Sequence, residues 1–178
     1  MSVDYKVVSS EKKYSGRIFK IVEDKIILPN GKEAYREIVV KGNAAAVLPV
    51  IDNEVVLVRQ YRHAAKRHPL EIPAGVVDDN ENPYDCAVRE LEEETGLKAE
   101  KLEFLTVMDS AIGFCTEKVY IYFAESAVQD CTNFDPEEFI ETEKYSLDDA
   151  VKMVINGEIK DSKTITAILM YNEIKNSK

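Results

Sequence analysis

The chain has 178 residues, of which 45% are apolar, and a formal net charge of −10. This length suits one domain with a full hydrophobic core and a small appended element. The acidic balance disfavours nucleic acid and membrane surfaces as partners, because both attract basic proteins. No apolar run is long enough to span a bilayer, and the first residues lack the pattern of a signal peptide, so we expect a cytoplasmic protein.

The cysteines provide no framework for disulfides or for a structural metal. Cys86, Cys115 and Cys131 are widely spaced, and their number is odd. Disulfide-rich and zinc-binding folds use paired cysteines at short spacings instead. We therefore expect three reduced thiols that behave as small apolar residues.

The first half of the chain is rich in strand signals. Residues 17–41 predict two strands around a turn at Pro29–Gly31, because β-branched residues flank a proline-asparagine-glycine sequence. Ala44–Ile51 and Val55–Tyr61 predict a second hairpin. Further extended segments are predicted at 70–73, 101–107, 119–124 and 139–145.

Three helices are predicted in the remainder. The clearest covers Pro83–Thr95, with Asn82 as the N-cap, proline at the first helical position and Gly96 at the left-handed position after the helix. Two more run from Ser146 to about 157 and from about 161 to 174. The order of elements is not a regular βαβ alternation, so it predicts an α+β fold.

The first helix carries a group of carboxylates. Glu90 and Glu94 are one helical turn apart, which places their Cβ atoms roughly 5–6 Å from each other. Glu93 lies four residues after Arg89 and can pair with it. A solvated acidic face is the plain interpretation, and a magnesium site is the functional one, since Mg²⁺ prefers one or two carboxylates together with waters and substrate phosphates.

Residues 75–97 decide between these readings, because they match the Nudix box at every specified position. The matching residues are Gly75, Glu81, Arg89, Glu90, Leu91, Glu93, Glu94, Gly96 and Leu97. The chain thus resembles the Nudix hydrolases, which implies an α/β/α sandwich around a mixed β-sheet. The resemblance also implies Mg²⁺, with Mn²⁺ as an alternative, bound mainly by Glu90 and Glu94, with the Ala74 carbonyl and Glu93 as further ligands. Arg89 would orient Glu93, and Glu81 would hold the loop before the helix.

Other segments are similar to the ADP-ribose pyrophosphatase branch of that family, including Val58–Arg62 and Leu70–Gly75. The branch implies a homodimer that exchanges an N-terminal β element, here residues 1–42, ahead of a hydrolase domain at 43–178. It implies Arg36 and Arg62 as pyrophosphate contacts. Arg59 and Arg62, three residues apart on a predicted strand, would point to opposite faces, so only one of them can face the site.

The expected reaction is hydrolysis of ADP-ribose to AMP and ribose 5-phosphate. The branch usually has a proline where this chain has Ile112, so another nucleotide sugar or a dinucleotide stays open as substrate. A domain that senses a nucleotide without cleaving it is a further alternative, although the chain keeps every carboxylate of the box. For the general base we choose Glu138 in an acidic loop, with Glu137 second and Glu93 as the rival within the box.

Overall fold

The computed structural model of the chain describes residues 5–125, 127–129 and 140–177. The described chain forms two compact units. The first takes residues 5–43 and 109–118, and the second takes 44–108 and the described residues from 119 onward. Glu137 and Glu138, the two loop residues proposed as general base, lie outside the described residues.

The first unit contains an antiparallel three-stranded sheet in the order β1-β2-β3. Its strands are β1 (Lys6–Ser15), β2 (Lys20–Ile27) and β3 (Glu33–Val40). The sequence predicted two strands in this region, so β1 was missed. The reason is that β1 is mainly polar, exposes all ten of its residues and carries two register shifts, which leaves no inward-facing apolar alternation to detect.

A later segment, residues 109–118, belongs to this first unit as well. The Val39 N–H donates to the Phe114 carbonyl at 2.7 Å, and the Thr116 N–H donates to the Val39 carbonyl at 3.0 Å. Lys41 also forms an ion pair with Glu117. The predicted N-terminal element ended at residue 42 and did not include this segment, because pairing across more than 70 residues has no local sequence signal.

The second unit is built around a mixed sheet. In chain order its described elements are β4 (Ala44–Ile51), β5 (Glu54–Arg59), β6 (Leu70–Glu71), β7 (Ala74–Val76), α1 (Pro83–Thr95), β8 (Leu97–Lys98), β9 (Glu103–Asp109), β10 (Lys118–Glu125), β11 (Val128–Gln129), β12 (Glu141–Ser146), α2 (Leu147–Ile155) and α3 (Ser162–Asn176). The strand order is β12-β5-β4-β10-β9, with β6 beside β5 and β7 beside β4. β10 runs parallel to β4, whereas β5 is antiparallel to it.

Buried side chains alternate between the two faces of this sheet. Leu48 of β4 packs in one cluster with Ile168 of α3 and residues of α2. Val47 packs on the opposite face with Leu91 and other residues of α1. Helices therefore cover both faces, which confirms the predicted α/β/α sandwich. Among the described helices, none has the length and apolar character that crossing a membrane requires.

The helix signals in the sequence are confirmed at the level of single residues. The side chain of Asn82 accepts hydrogen bonds from the backbone N–H groups of Tyr84 and Asp85, both at 3.0 Å. Gly96 adopts a left-handed φ of 67° and its N–H closes the last turn of α1. Ser146 and Asp161 cap α2 and α3.

Candidate active site

Strand β7 and helix α1 form a narrow cradle around Gly75. β7 pairs with the first residues of β4, with Gly75 opposite Ala45. A Cβ atom built on Gly75 would overlap the carboxylate of Glu90, so only glycine leaves space for this carboxylate. The φ of Gly75 is not in the left-handed region, so its backbone conformation does not itself require glycine. Its role is the close approach of Glu90 to the backbone.

Glu94 reaches the same backbone segment one helical turn later. The Ala74 N–H donates to Glu94 Oε2 at 3.1 Å. Glu90 and Glu94 are 8% and 4% exposed, and both lie on the buried side of α1. A solvated acidic face is therefore excluded for these two residues. Tyr84, by contrast, is exposed, with its ring edge-on to Tyr122.

Arg89 holds three carboxylates of the box together. It donates to both oxygens of Glu81 at 3.1 Å, to Glu90 at 2.6 Å and to Glu93 at 2.9 Å. The hydrogen bonds from Arg89, with one from the Asp78 N–H, lower the pKa of Glu81 to about 2. The bond to Glu81 also raises the pKa of Arg89 further above its usual value. Glu81 thus anchors the loop before α1, and Arg89 lies against Glu93 as the family pattern implies.

The thiol of Cys86 lies under this network without taking part in its chemistry. Burial, together with the charges of Glu81 and Glu90, raises the pKa of Cys86 to about 12. The residue stays protonated near neutral pH and fills space beneath Arg89, whose Nη2 lies 3.4 Å from the sulfur. Cys86 and Cys115 are both free thiols.

The groups around Ala74 fit a hard divalent cation. The donors are carboxylate and backbone carbonyl oxygens, the ligand type that Mg²⁺ prefers. Among the described residues, no group of three or more His, Cys, Asp or Glu side chains converges on a single metal position. Mg²⁺ keeps several waters and substrate oxygens, so two carboxylates suffice for it. Glu93 stands apart, because its side chain is 45% exposed and paired with Arg89.

A second charged cluster lies beside this site and was not predicted. Arg62 donates through Nε and Nη2 to the two carboxylate oxygens of buried Glu71, at 2.7 and 3.1 Å. Lys163 of α3 pairs with Glu71 as well, and with Asp161 at 3.1 Å. The Ile72 N–H donates to the Thr164 hydroxyl at 2.8 Å. Together these contacts fix the start of α3 to the segment that leads into Ala74.

The pKa values in this cluster follow from opposing effects. Burial alone would raise the pKa of Glu71, but the hydrogen bond from Arg62 and the charge of Lys163 outweigh it, so the pKa is lowered. Burial would lower the pKa of Arg62, but Glu71 outweighs it, and the charges of Glu94 and Asp161 act in the same direction as Glu71, so that pKa is raised. In the sequence, this cluster is indicated by Glu71, a charged residue within a short buried run. A buried charge of this kind needs partners.

The remaining predicted residues are dispersed. β5 ends at Arg59, so the argument that Arg59 and Arg62 point to opposite faces of one strand was wrong in its premise. Arg59 pairs with Glu143 of β12 instead. Arg36 lies in the first unit, exposed, where its Nη1 donates to the Tyr35 carbonyl at 2.8 Å. His63 and His68 are exposed.

Comparison with known proteins extends the resemblance to nearly the whole chain. Residues 40–167 match the NUDIX domain, and residues 5–39 match the nucleoside diphosphate sugar hydrolase N-terminal domain. The ADP-ribose pyrophosphatase of Bacillus subtilis (strain 168) is 38% identical over 98% of this chain and 95% of its own length. The methanol dehydrogenase activator of Bacillus methanolicus is 37% identical, with 92% and 90% coverage.

Two further similarities point the same way. The ADP-ribose pyrophosphatase of Mycobacterium tuberculosis (strain ATCC 25618 / H37Rv) is 34% identical over 96% of this chain and 84% of its own length. A crystal structure of an ADP compounds hydrolase superposes with a TM-score of 0.88, covering 99% of this chain and 97% of the other. Its sequence identity is 21%, so this last match supports the fold alone.

Proposed function

Because the chain belongs to the Nudix hydrolase family, we propose that it hydrolyses the phosphoanhydride bond of a nucleoside diphosphate sugar, with ADP-ribose as the preferred substrate. The products would be AMP and ribose 5-phosphate. The observation that carries the proposal is the buried pair Glu90 and Glu94, both held against the Ala74–Gly75 backbone. Two relatives that match most of this chain are named ADP-ribose pyrophosphatases, which supports the choice of substrate.

We propose Mg²⁺ as the metal, with Mn²⁺ as an alternative. Glu90, Glu94 and the Ala74 carbonyl would hold it, with Glu93 as a further contributor. When bound, the ion would neutralise charge on the diphosphate and make water a better nucleophile at neutral pH. The residues around it have a separate task, which is to hold the two carboxylates in place. Arg89 donates a hydrogen bond to Glu90, and the Ala74 N–H donates one to Glu94.

Arg62 is the proposed contact to the pyrophosphate in this unit. Glu71 occupies the Nε–Nη2 edge of its guanidinium group. The side chain is still 42% exposed, so its Nη1–Nη2 edge can donate to a phosphate. Arg36 of the first unit is proposed as a second contact.

For the general base we propose Glu138, on the resemblance alone, with Glu137 as the next candidate. Glu93 is the rival, since it is partly exposed and held at 2.9 Å by Arg89. A base must lie within hydrogen-bond reach of the attacking water, and its loss typically lowers the rate by about 10²–10⁴-fold.

We also propose a cytoplasmic homodimer formed through the residues before Gly42, and the free thiols of Cys86 and Cys115 suit that compartment. All ten residues of β1 are exposed, including Val7, Val8 and Tyr14, in a sheet of three strands. Such a surface is expected to be covered by a partner. Light scattering should show a dimer for the full chain, and a chain beginning at Asn43 should be monomeric or insoluble. A truncated monomer with full activity would contradict this role.

The proposed activity is tested by the release of AMP from ADP-ribose with and without Mg²⁺, with the Glu94→Gln variant as a blank. A panel that adds GDP-mannose and an ADP-containing dinucleotide addresses the second candidate, another nucleotide sugar or dinucleotide. Ile112, 85% exposed at the position of the branch's usual proline, favours that alternative. Relatives named GDP-mannose pyrophosphatase and ADP compounds hydrolase support including these compounds. Binding without turnover of any compound would indicate a nucleotide sensor instead.

A further inference from the structure

One segment of this acidic chain is strongly basic. Residues 59–68, which we call the basic loop, read Arg-Gln-Tyr-Arg-His-Ala-Ala-Lys-Arg-His and contain four permanent cations, both histidines of the chain and no acidic residue. The whole chain has 33 acidic and 23 basic residues, so this segment runs against the overall composition.

The four cations of the basic loop fall into two classes. Arg59 and Arg62 are paired with Glu143 and Glu71. Lys66 and Arg67 are exposed, and within the described parts of the chain no acidic side chain pairs with either of them. Two of the four cations therefore form ion pairs within the fold, and the other two face solvent.

The loop holds these two cations in a defined turn. The Arg62 N–H donates to the Arg67 carbonyl at 2.9 Å, and the Lys66 N–H donates to the Arg62 carbonyl at 2.8 Å. Lys66 itself has a left-handed φ of 51°. The other described non-glycine residues with positive φ are aspartate or asparagine, which tolerate this region, whereas lysine adopts it at a cost. Lys66, one of the two exposed cations, therefore adopts a strained backbone conformation.

The loop emerges at the same end of the sheet as the carboxylate cradle. It follows the C-terminal end of β5, which lies at the end of the sheet where β4 begins, because these strands are antiparallel. Ala74 and Gly75 pair with the first residues of β4 at that same end. Arg62 connects the two features, since its backbone pairs with Arg67 and its guanidinium binds Glu71 beside the site.

Resting on the proposed function, we propose that Lys66 and Arg67 form a capture site that draws the phosphate-bearing substrate toward the catalytic carboxylates. A diphosphate that approaches a chain of net charge −10 is repelled overall, and a local pair of cations beside the site reverses that effect. The attraction acts before the chemical step, so it affects capture of the substrate and leaves turnover unchanged. It is also screened by salt, because the cations are solvent-exposed.

The test is the salt dependence of the steady-state kinetics of Lys66→Gln/Arg67→Gln with ADP-ribose and saturating Mg²⁺. At about 20 mM salt we expect KM to rise about 5- to 20-fold with kcat within about twofold of the wild type. At about 0.5 M salt the difference in KM should shrink below about twofold. A ribose-phosphorylated analogue of ADP-ribose, which carries more negative charge, should show the larger rise.

The matched control is Lys152→Gln/Lys175→Gln, which removes the same charge from exposed positions. Lys175 lies near the end of α3, roughly 17 Å along the helix from Thr164, which contacts Ile72. An equal rise in KM for this pair would overturn the proposal, because net charge would then explain the effect. An unchanged KM in the loop variant, or a loss that persists at high salt, would overturn it as well.

The outcome can be separated from failure of the proposed function. If the wild type does not hydrolyse ADP-ribose, the proposed activity is wrong, and the capture site is then tested by calorimetric titration of ADP. Weaker binding of ADP by the loop variant than by the wild type and the control variant would support the capture site. Equal binding by all three would refute it.

Discussion

Replacing Gly75 with alanine tests the cradle directly. The added methyl group would occupy the space of the Glu90 carboxylate, which lies in the buried interior of the site. Relief of that overlap requires the carboxylate to move by on the order of 1 Å, and a displacement of that size can lower a rate by about 10²-fold. This corresponds to about 2.7 kcal/mol of transition-state stabilisation.

The assay for Gly75→Ala is kcat for ADP-ribose across a magnesium titration, together with thermal unfolding. We expect kcat near a hundredth of the wild-type value and a higher magnesium requirement in a protein that remains folded. Gly113→Ala is the matched control, since a Cβ there meets no atom within 4 Å and the backbone is not left-handed; its magnesium requirement and melting temperature should not change. Wild-type kcat and magnesium affinity in Gly75→Ala would refute the assignment of Glu90 as a ligand.

Three further predictions concern the carboxylates of the box and the proposed general base. Glu94→Gln should nearly abolish turnover while circular dichroism shows an intact fold, because an amide is a poor magnesium ligand; near-normal kcat at saturating magnesium would rule out this ligand. Glu138→Gln should lower kcat by about 10²–10⁴-fold with magnesium affinity unchanged, whereas Glu93→Gln should weaken magnesium binding as well; less than a tenfold fall for Glu138→Gln and its Glu137 counterpart would leave Glu93 as the base. The pKa of Glu81 is depressed to about 2, so its ionised form stabilises the fold above the unfolded pKa and this contribution is lost as pH falls from about 4.5 to 2. Urea unfolding at pH 7 and pH 3 should show a smaller loss of stability for Glu81→Gln than for the wild type; equal losses would contradict the role of the Arg89 pair.

Local chemistry made α1 predictable from the sequence. Asn82, Pro83 and Gly96 each have a conformational preference that acts within a few residues, and the helix begins and ends where they place it. The spacing of the box carboxylates is equally local. Such features need no knowledge of the rest of the fold.

Long-range partners could not be predicted in the same way. Lys163 meets Glu71 across 92 residues, and Val39 pairs with the segment around Cys115. Nothing in the immediate sequence of either partner specifies the other. β1 was missed for a related reason, because a strand exposed along its whole length has no buried face to impose a pattern.

The buried residues of α1 follow the helical period, which can be recognised in the sequence. Cys86, Ala87, Glu90, Leu91 and Glu94 follow one another at steps of one and three residues along a single face. Two glutamates therefore occupy positions that the helical period assigns to the core. A sequence that places carboxylates there must also supply them with partners, since an uncompensated buried charge is costly.

Burial also separates the roles of the glutamates on α1. Glu90 and Glu94 give up water and lie against the backbone of Ala74 and Gly75, where their position is fixed by packing and by a hydrogen bond. Glu93 keeps about half of its side chain in solvent and pairs with Arg89. Fixed, desolvated carboxylates suit a metal ligand, because they need not reorganise when the cation arrives. A partly solvated carboxylate on one arginine suits a group that exchanges a proton, which is why Glu93 remains the rival base and Glu90 and Glu94 do not.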